Sequence, residues 1–319
     1  MGNVYEQLEL CGIVPVLTID DARNAEPLAK ALVDGGLSSV EVTFRTEAAQ
    51  DAMKRIAKSG IPMLVGAGTI QSVDQVKGAV DNGATFIVSP GLNRKVVGYC
   101  VENKIPVIPG IATPTEIEDA CDYGLKVLKF FPAEANGGVA YLQAISAPYQ
   151  KVKFIPTGGI DESNLLSYLK LPGVLACGGS WMVKKELIAA GKFEEIRLLS
   201  ANAVRTMLGL KLQHVGIHGG DADKAQKAAA VLADLLRFES NDTSGSIFLG
   251  GQFEILKSKG LGEHGHIALG THSVPRAVEY FLRKGIKTRP ETRNEKNGKI
   301  ATIYLDLEIE GFAVHLIQL

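Results

Sequence analysis

A (β/α)8 barrel followed by a smaller α+β domain is the fold class that this 319-residue sequence predicts. Three observations lead there. Between residues 13 and 208, eight short apolar runs alternate with helix-length segments. The runs are apolar throughout rather than at every second position, as in parallel strands covered by helices on both faces. After Leu208-Gly209-Leu210 the alternation stops, and residues 212–319 are β-rich and hold all six histidines of the chain. The domains are therefore set at 1–211 and 212–319. An open doubly wound sheet is the weaker reading, because no GxGxxG follows the first run and no run has the polarity of an edge strand.

Taken in order, the expected strands are 13–19, 39–45, 63–70, 85–90, 106–111, 127–131, 153–157 and 174–179. Helical segments fall between them at 24–34, 47–59, 73–82 and 114–122, and Gly35-Gly36, Gly60, Gly83 and Gly124 stand where helices end. The last third echoes itself. His214-Val215-Gly216-Ile217 opens a segment that reaches Phe253-Glu254-Ile255-Leu256, and His266-Ile267-Ala268-Leu269 opens one that reaches Phe312-Ala313-Val314-His315-Leu316. Each half carries one helical stretch, 222–236 or 274–284, so each reads βαβββ.

Composition narrows the function. With 46% hydrophobic and 22% charged residues the chain can build sizeable cores, and its net charge of −1 gives no reason to expect nucleic acid or an anionic membrane as partner. The four cysteines form no CxxC pair and suit reduced thiols. No basic n-region opens the chain, and the apolar run 10–19 is short and contains Pro15, so a cytoplasmic protein is expected. The first two thirds holds no histidine, so acid–base chemistry there must use a carboxylate, a lysine or water.

A barrel of this kind does its chemistry at the C-terminal strand ends. In the second run Glu41, Thr43 and Arg45 share one face, and Val40, Val42 and Phe44 the other. The apolar face must meet helices, so a carboxylate and a guanidinium point indoors; an ion pair that only fills the barrel is the alternative. The third run ends Gly66-Ala67-Gly68-Thr69, small residues that leave room for a ligand beside a hydroxyl, and Ser89-Pro90-Gly91 and Pro109-Gly110 are rigid walls. The sixth run sets Lys129 among apolar neighbours before Pro132. Away from water an ammonium is disfavoured, and the neutral amine can attack a ketone; a side chain that snorkels out of the strand end is the bland alternative. The seventh and eighth runs end Thr157-Gly158-Gly159 and Gly178-Gly179-Ser180. Bare backbone N–H groups at those two positions suit a phosphate, and tight turns without a ligand are the alternative.

Together, Glu41-Val42-Thr43-Phe44-Arg45-Thr46, Gly66-Ala67-Gly68-Thr69, Ser89-Pro90-Gly91, Lys129-Phe130-Phe131-Pro132-Ala133-Glu134, Pro156-Thr157-Gly158-Gly159-Ile160 and Gly178-Gly179-Ser180-Trp181 resemble the 2-keto-3-deoxy-6-phosphogluconate (KDPG) aldolase / 4-hydroxy-2-oxoglutarate aldolase family, over residues 4–205. The resemblance implies a class I aldolase, a lyase that needs no cofactor. It would cleave KDPG to pyruvate and glyceraldehyde 3-phosphate, 4-hydroxy-2-oxoglutarate to pyruvate and glyoxylate, or both. It implies Lys129 as the Schiff-base lysine and Glu41 as proton acceptor and donor. Arg45 and Thr69 would hold the pyruvyl carboxylate, Pro90 and Phe131 would line the pocket, and Gly158, Gly159, Gly179 and Ser180 would bind the distal phosphate. A homotrimer is implied as well. The competing reading is a phosphosugar isomerase or epimerase, with Glu41 as base and Lys129 as an electrostatic clamp.

The paired βαβββ pattern resembles the vicinal oxygen chelate (glyoxalase-like) family. That resemblance implies a divalent metal on His214, Glu254, His266 and His315, although a glutamate is more usual at the position of His315. The alternative is a module that binds a ligand, or regulates, without chemistry of its own.

Overall fold

The eight apolar runs form eight parallel strands: β1 (Ile13–Leu17), β2 (Ser39–Thr43), β3 (Leu64–Gly68), β4 (Phe86–Ser89), β5 (Val107–Ile111), β6 (Val127–Phe130), β7 (Lys153–Pro156) and β8 (Cys177–Gly179). Each lies within an expected range but is shorter, most of them because the residues past the strand end turn into loops, β5 and β8 because they start later. Neighbours in sequence are neighbours in space, in the order β7-β6-β5-β4-β3-β2-β1-β8. Bridges Phe154↔Val174 and Thr157↔Gly178 close the ring between β7 and β8. The computed structural model describes residues 3–319 and divides the chain into two units, one ending at Met207 and one spanning Leu208–Leu319.

The barrel helices are α1 (Val4–Cys11), α2 (Ala25–Asp34), α3 (Ala49–Lys58), α4 (Val73–Asp81), α5 (Arg94–Glu102), α6 (Pro114–Asp122), α7 (Gly138–Ser146), α8 (Leu165–Leu169), α9 (Lys185–Ala189) and α10 (Phe193–Leu208). Sequence reasoning missed α1, whose apolar run is short. Its start is fixed by a capping box, in which the Asn3 side chain accepts from the Glu6 amide and the Glu6 carboxylate accepts from the Asn3 amide. Its Leu8 is wholly buried in one cluster with Val14, Phe86, Val88, Ile108, Val127 and Ile155 from the barrel strands. Alternation puts Lys129 on the face of Val127, and Val16 and Thr18 on the face of Val14. The barrel interior is thus layered, with apolar side chains towards α1 and polar ones towards the strand C-termini. Of the expected helix-ending glycines, Gly36, Gly60, Gly83 and Gly124 have positive φ; Gly35 continues the helical conformation.

The second unit follows the expected order. β9 (Lys211–His218), α11 (Ala222–Leu236), β10 (Ser240–Asp242), β11 (Ser246–Leu249) and β12 (Phe253–Leu256) form one βαβββ module. β13 (Gly265–Thr271), α12 (Val274–Arg283), β14 (Thr288–Lys296), β15 (Lys299–Ile309) and β16 (Phe312–Gln318) form the other. One sheet joins them in the order β10-β11-β12-β9-β13-β16-β15-β14, so each module mirrors the other about the antiparallel β9–β13 pair. Ala225 and Ala229 of α11 pack on Ile247, Leu249 and Ile255. That burial commits one face of the sheet to helices and leaves Phe248 and Glu254 on the opposite face.

Among the described residues no helix is long and apolar enough to cross a membrane. Cys11, Cys100 and Cys177 are buried and Cys121 is exposed.

Candidate active site

The centre of the barrel is one ion pair. Lys129 on β6 and Glu41 on β2 both face inward and are 6% and 4% exposed. Nζ of Lys129 stands 3.2 Å from Oε1 of Glu41 across the barrel, and 5.1 Å from the centre of the Phe131 ring. The pair decides what its neighbours can be. A Cβ on Gly68 would fall 2.2 Å from Glu41 Oε1, and one on Gly66 would fall 2.2 Å from the Phe86 ring. The small residues of β3 therefore make room for Glu41 and Phe86, not for a ligand as the sequence suggested. Pro90 lies against the fifth strand, where a Cβ on Gly110 would stand 2.1 Å from the Pro90 carbonyl oxygen.

Arg45 does not extend β2 as expected. The strand ends at Thr43, the Phe44 amide donates to the Gly68 carbonyl, and the Arg45 amide turns back to the Thr43 carbonyl at 2.9 Å. The Arg45 side chain is exposed at the barrel mouth, and its Nε donates to Thr69 Oγ1 at 3.1 Å. Thr69 has φ of +59°, a conformation that β-branched residues rarely adopt. Holding it there costs about 1–3 kcal/mol, an amount typical of functional sites.

Arg45 and Phe131 line a cavity of about 630 Å³ whose other walls include Thr18, Thr43, Thr157, Gly158, Gly159, Gly179, Ser180 and Lys184. The two Gly-Gly turns thus share one cavity with Arg45. The segment after β6 is tied to the first of them: the Ala133 amide donates to the Thr157 carbonyl at 2.8 Å, and the Glu134 amide to the Gly158 carbonyl at 3.1 Å. Glu134 also accepts from the Tyr168 hydroxyl of α8. Burial, then that bond, pushes the Tyr168 hydroxyl well above the usual tyrosine range. A Cβ on Gly159 would collide with the Glu134 side chain at 2.7 Å. Sequence reading quoted Glu134 in a motif without giving it this tie; the partner tyrosine lies 34 residues away.

The second unit gathers its own polar cluster. His214 on β9, His266 on β13 and His315 on β16 are buried, and their donor atoms lie within 4.8 Å of one another. Nε2 of His214 and Nε2 of His266 are 3.1 Å apart, and Oε2 of Glu254 is 3.3 Å and 3.2 Å from them. The three histidines expected to be metal ligands therefore come together, and Glu254 lies beside two of them. Burial alone would raise the Glu254 carboxyl, but hydrogen bonds from His214, His266 and Ser246 hold it well below the usual range. His315 stacks on Tyr304 at 4.8 Å, and neither of its ring nitrogens has a hydrogen-bond partner. Its burial, with His266 and His214 adding to it, pulls the imidazole down to about 4. Gly216 admits this arrangement, since a Cβ there would lie 2.2 Å from the His266 ring.

Two measurements test these readings. Thr69→Gly is expected to raise barrel stability by about 1 kcal/mol, because the strain leaves with the side chain; a stability loss in urea unfolding would contradict the strain. In the second unit, His315 protonates in the unfolded chain before it does so in the folded one. Its contribution is complete above pH 6.5 and is lost as pH falls towards about 4. In protein stripped of metal by a chelator, the expected loss between pH 7 and pH 5 is about 2 kcal/mol, read as hydrogen-exchange protection in β13 and β16. Equal protection at both values would contradict it.

The comparisons with known proteins cover the barrel. Residues 4–199 match the family model "KDPG and KHG aldolase". A 2-dehydro-3-deoxy-phosphogluconate aldolase of Treponema pallidum is 47% identical over 205 residues, 64% of this chain and 98% of its own length. A KHG/KDPG aldolase of Escherichia coli K12 is 47% identical over 192 residues, 60% of this chain and 90% of its own. Among solved structures, a KDPG aldolase from Legionella pneumophila, with pyruvate captured as a covalent carbinolamine, is 38% identical with a TM-score of 0.61, covering 62% of this chain and 97% of that one. The fold, the Lys129–Glu41 centre and these likenesses agree: the chain belongs to the KDPG and KHG aldolase family, a family of lyases.

Proposed function

We propose that the barrel is a class I aldolase that cleaves a 2-keto-4-hydroxy acid to pyruvate and an aldehyde, with Lys129 as nucleophile. The observation that carries this reading is a lysine amine sealed in the barrel 3.2 Å from a single carboxylate, beside a cavity that Arg45 and Phe131 help to line. A proton passed from Lys129 to Glu41 leaves a neutral amine. The amine attacks the C2 ketone to give a carbinolamine, and Glu41 returns that proton to the carbinolamine hydroxyl, which leaves as water to give an iminium and frees the Glu41 carboxylate to act again as a base. Glu41, directly or through water, takes the proton of the C4 hydroxyl. The C3–C4 bond then breaks, its electrons pass into the iminium as an enamine, and the aldehyde departs. Glu41 returns a proton to C3, and hydrolysis frees pyruvate and the amine. Because the iminium is the electron sink, these steps call on no metal.

Arg45 and Thr69 would orient the carboxylate, Arg45 through charge-assisted hydrogen bonds. The turns at Gly158, Gly159, Gly179 and Ser180 would hold a phosphate at the other end of the cavity, which favours KDPG over 4-hydroxy-2-oxoglutarate. Assembly as a homotrimer and a cytoplasmic location belong to the same proposal. Borohydride added to the full-length protein with pyruvate is expected to leave a reduced pyruvyl adduct on Lys129, found by peptide mass. Absence of the adduct would leave the isomerase reading, in which Glu41 works without a covalent bond to Lys129.

A second reading concerns the other unit, a vicinal oxygen chelate-like module holding a divalent metal such as Zn²⁺, Ni²⁺, Fe²⁺ or Mn²⁺ on His214, Glu254, His266 and His315. Ligand atoms around a tetrahedral zinc stand about 3.3 Å apart, close to the 3.1, 3.2 and 3.3 Å separations here. A hydrogen-bonded relay would account for His214, His266 and Glu254 but would strand His315, buried without a partner. The donor set therefore fits an ion, which would polarise a bound oxygen as a Lewis acid. Metal analysis of untagged protein is expected to give about one ion per chain, and Gly216→Ala to lower that by displacing His266 while pyruvate trapping persists. Trace metal that Gly216→Ala leaves unchanged would overturn this reading.

A further inference from the structure

Thr18 follows the end of β1 and lines the cavity. Its hydroxyl oxygen is 2.9 Å from that of Thr43, and the Thr43 hydroxyl donates to the Leu17 carbonyl at 2.9 Å. A carbonyl can only accept, so the single proton of Thr43 is committed. The proton between the two threonines must then come from Thr18. With that proton spent, Thr18 shows the cavity lone pairs only. Thr46, another lining residue, is oriented in the same way, donating to the Ile19 carbonyl at 2.5 Å. This rim of the cavity is an array of acceptors and suits a donor on the ligand.

The position of Thr18 says which donor. In the ring, β1 stands between β8, which leads into Ser180, and β2, which leads into Arg45. Thr18 therefore lies between the phosphate end and the carboxylate end, along the middle of a substrate stretched between them. In a phosphorylated six-carbon 2-keto-3-deoxy sugar acid the middle hydroxyls are on C4 and C5. The C4 proton goes to Glu41 in the mechanism, which leaves the C5 hydroxyl. The corresponding carbon of 4-hydroxy-2-oxoglutarate is a carboxylate, which has no proton to offer.

We propose that Thr18 is a specificity-determining residue that accepts a hydrogen bond from the C5 hydroxyl of the sugar acid, so that the barrel selects an aldehyde bearing a hydroxyl beside its carbonyl. This rests on the aldolase reading. The test runs the reaction towards condensation, joining pyruvate to glyceraldehyde 3-phosphate or to 3-oxopropyl phosphate, which lacks only that hydroxyl. One hydrogen bond corresponds to about a five- to tenfold preference in kcat/KM. The wild type is expected to favour glyceraldehyde 3-phosphate by that factor, Thr18→Val to bring the two aldehydes within twofold of each other, and Thr18→Ser to restore the preference. A wild type indifferent to the hydroxyl, or a Thr18→Val variant that keeps the full preference, would overturn the proposal. Should Thr18→Val fail to fold, the wild-type ratio and its retention in Thr18→Ser decide the matter. Failure of pyruvate and borohydride to label the wild type would instead remove the aldolase reading itself.

Discussion

Everything in the barrel is arranged around one buried contact between an amine and a carboxylate. Taking two charges out of water costs several kcal/mol per ion, and their mutual attraction offsets that only when the geometry is good. Lys129 and Glu41 meet this condition by reaching across from opposite sides of the ring. The strands around them yield accordingly. Gly68 has no side chain because the Glu41 carboxylate occupies the space, and Gly110 has none because the chain at Pro90 crowds against it. The apolar layer beneath the pair, sealed by Leu8 of α1, excludes water from the other side. The enclosure that makes the pair expensive also keeps the Lys129 amine away from water.

In the proposed reaction the mouth of the barrel has a different task, that of holding two anionic groups at a fixed distance. Arg45 is exposed and long, but its Nε is fixed by Thr69, a residue itself held in a strained conformation. At the other end the loop at Gly158 and Gly159 is bonded to the segment that leaves β6, and Glu134 and Tyr168 anchor that segment to α8. Lys129 and the candidate phosphate loop are therefore adjacent parts of one hydrogen-bonded piece of chain. Movement of either is resisted by the other, which is how a barrel can keep reacting atoms aligned with a remote binding group.

The second unit uses a sheet rather than a ring to the same end. Helices α11 and α12 take one face, so the polar residues of the other face converge across β12, β9, β13 and β16. His315 is the informative member. Three of the four residues in the cluster could satisfy one another with hydrogen bonds, but an imidazole with two unpartnered nitrogens needs something more.

The sequence by itself determined the order of elements and the candidate residues for chemistry. Eight apolar runs point to a parallel sheet covered on both faces, and the lack of any run with the polarity of an edge strand points to a closed one. Alternation along 39–43 and 127–130 put Glu41 and Lys129 indoors, and the self-similar last third put its histidines on matching strands. Only the tertiary structure decided distances and directions. That Arg45 leaves the strand, that Gly68 serves Glu41 and not a ligand, that α1 seals the barrel, and that Thr18 has no proton left to donate all depend on contacts between residues far apart in the chain. Periodicity fixes which face a side chain takes. It cannot say which atom from another strand has already claimed the space or the hydrogen bond waiting there.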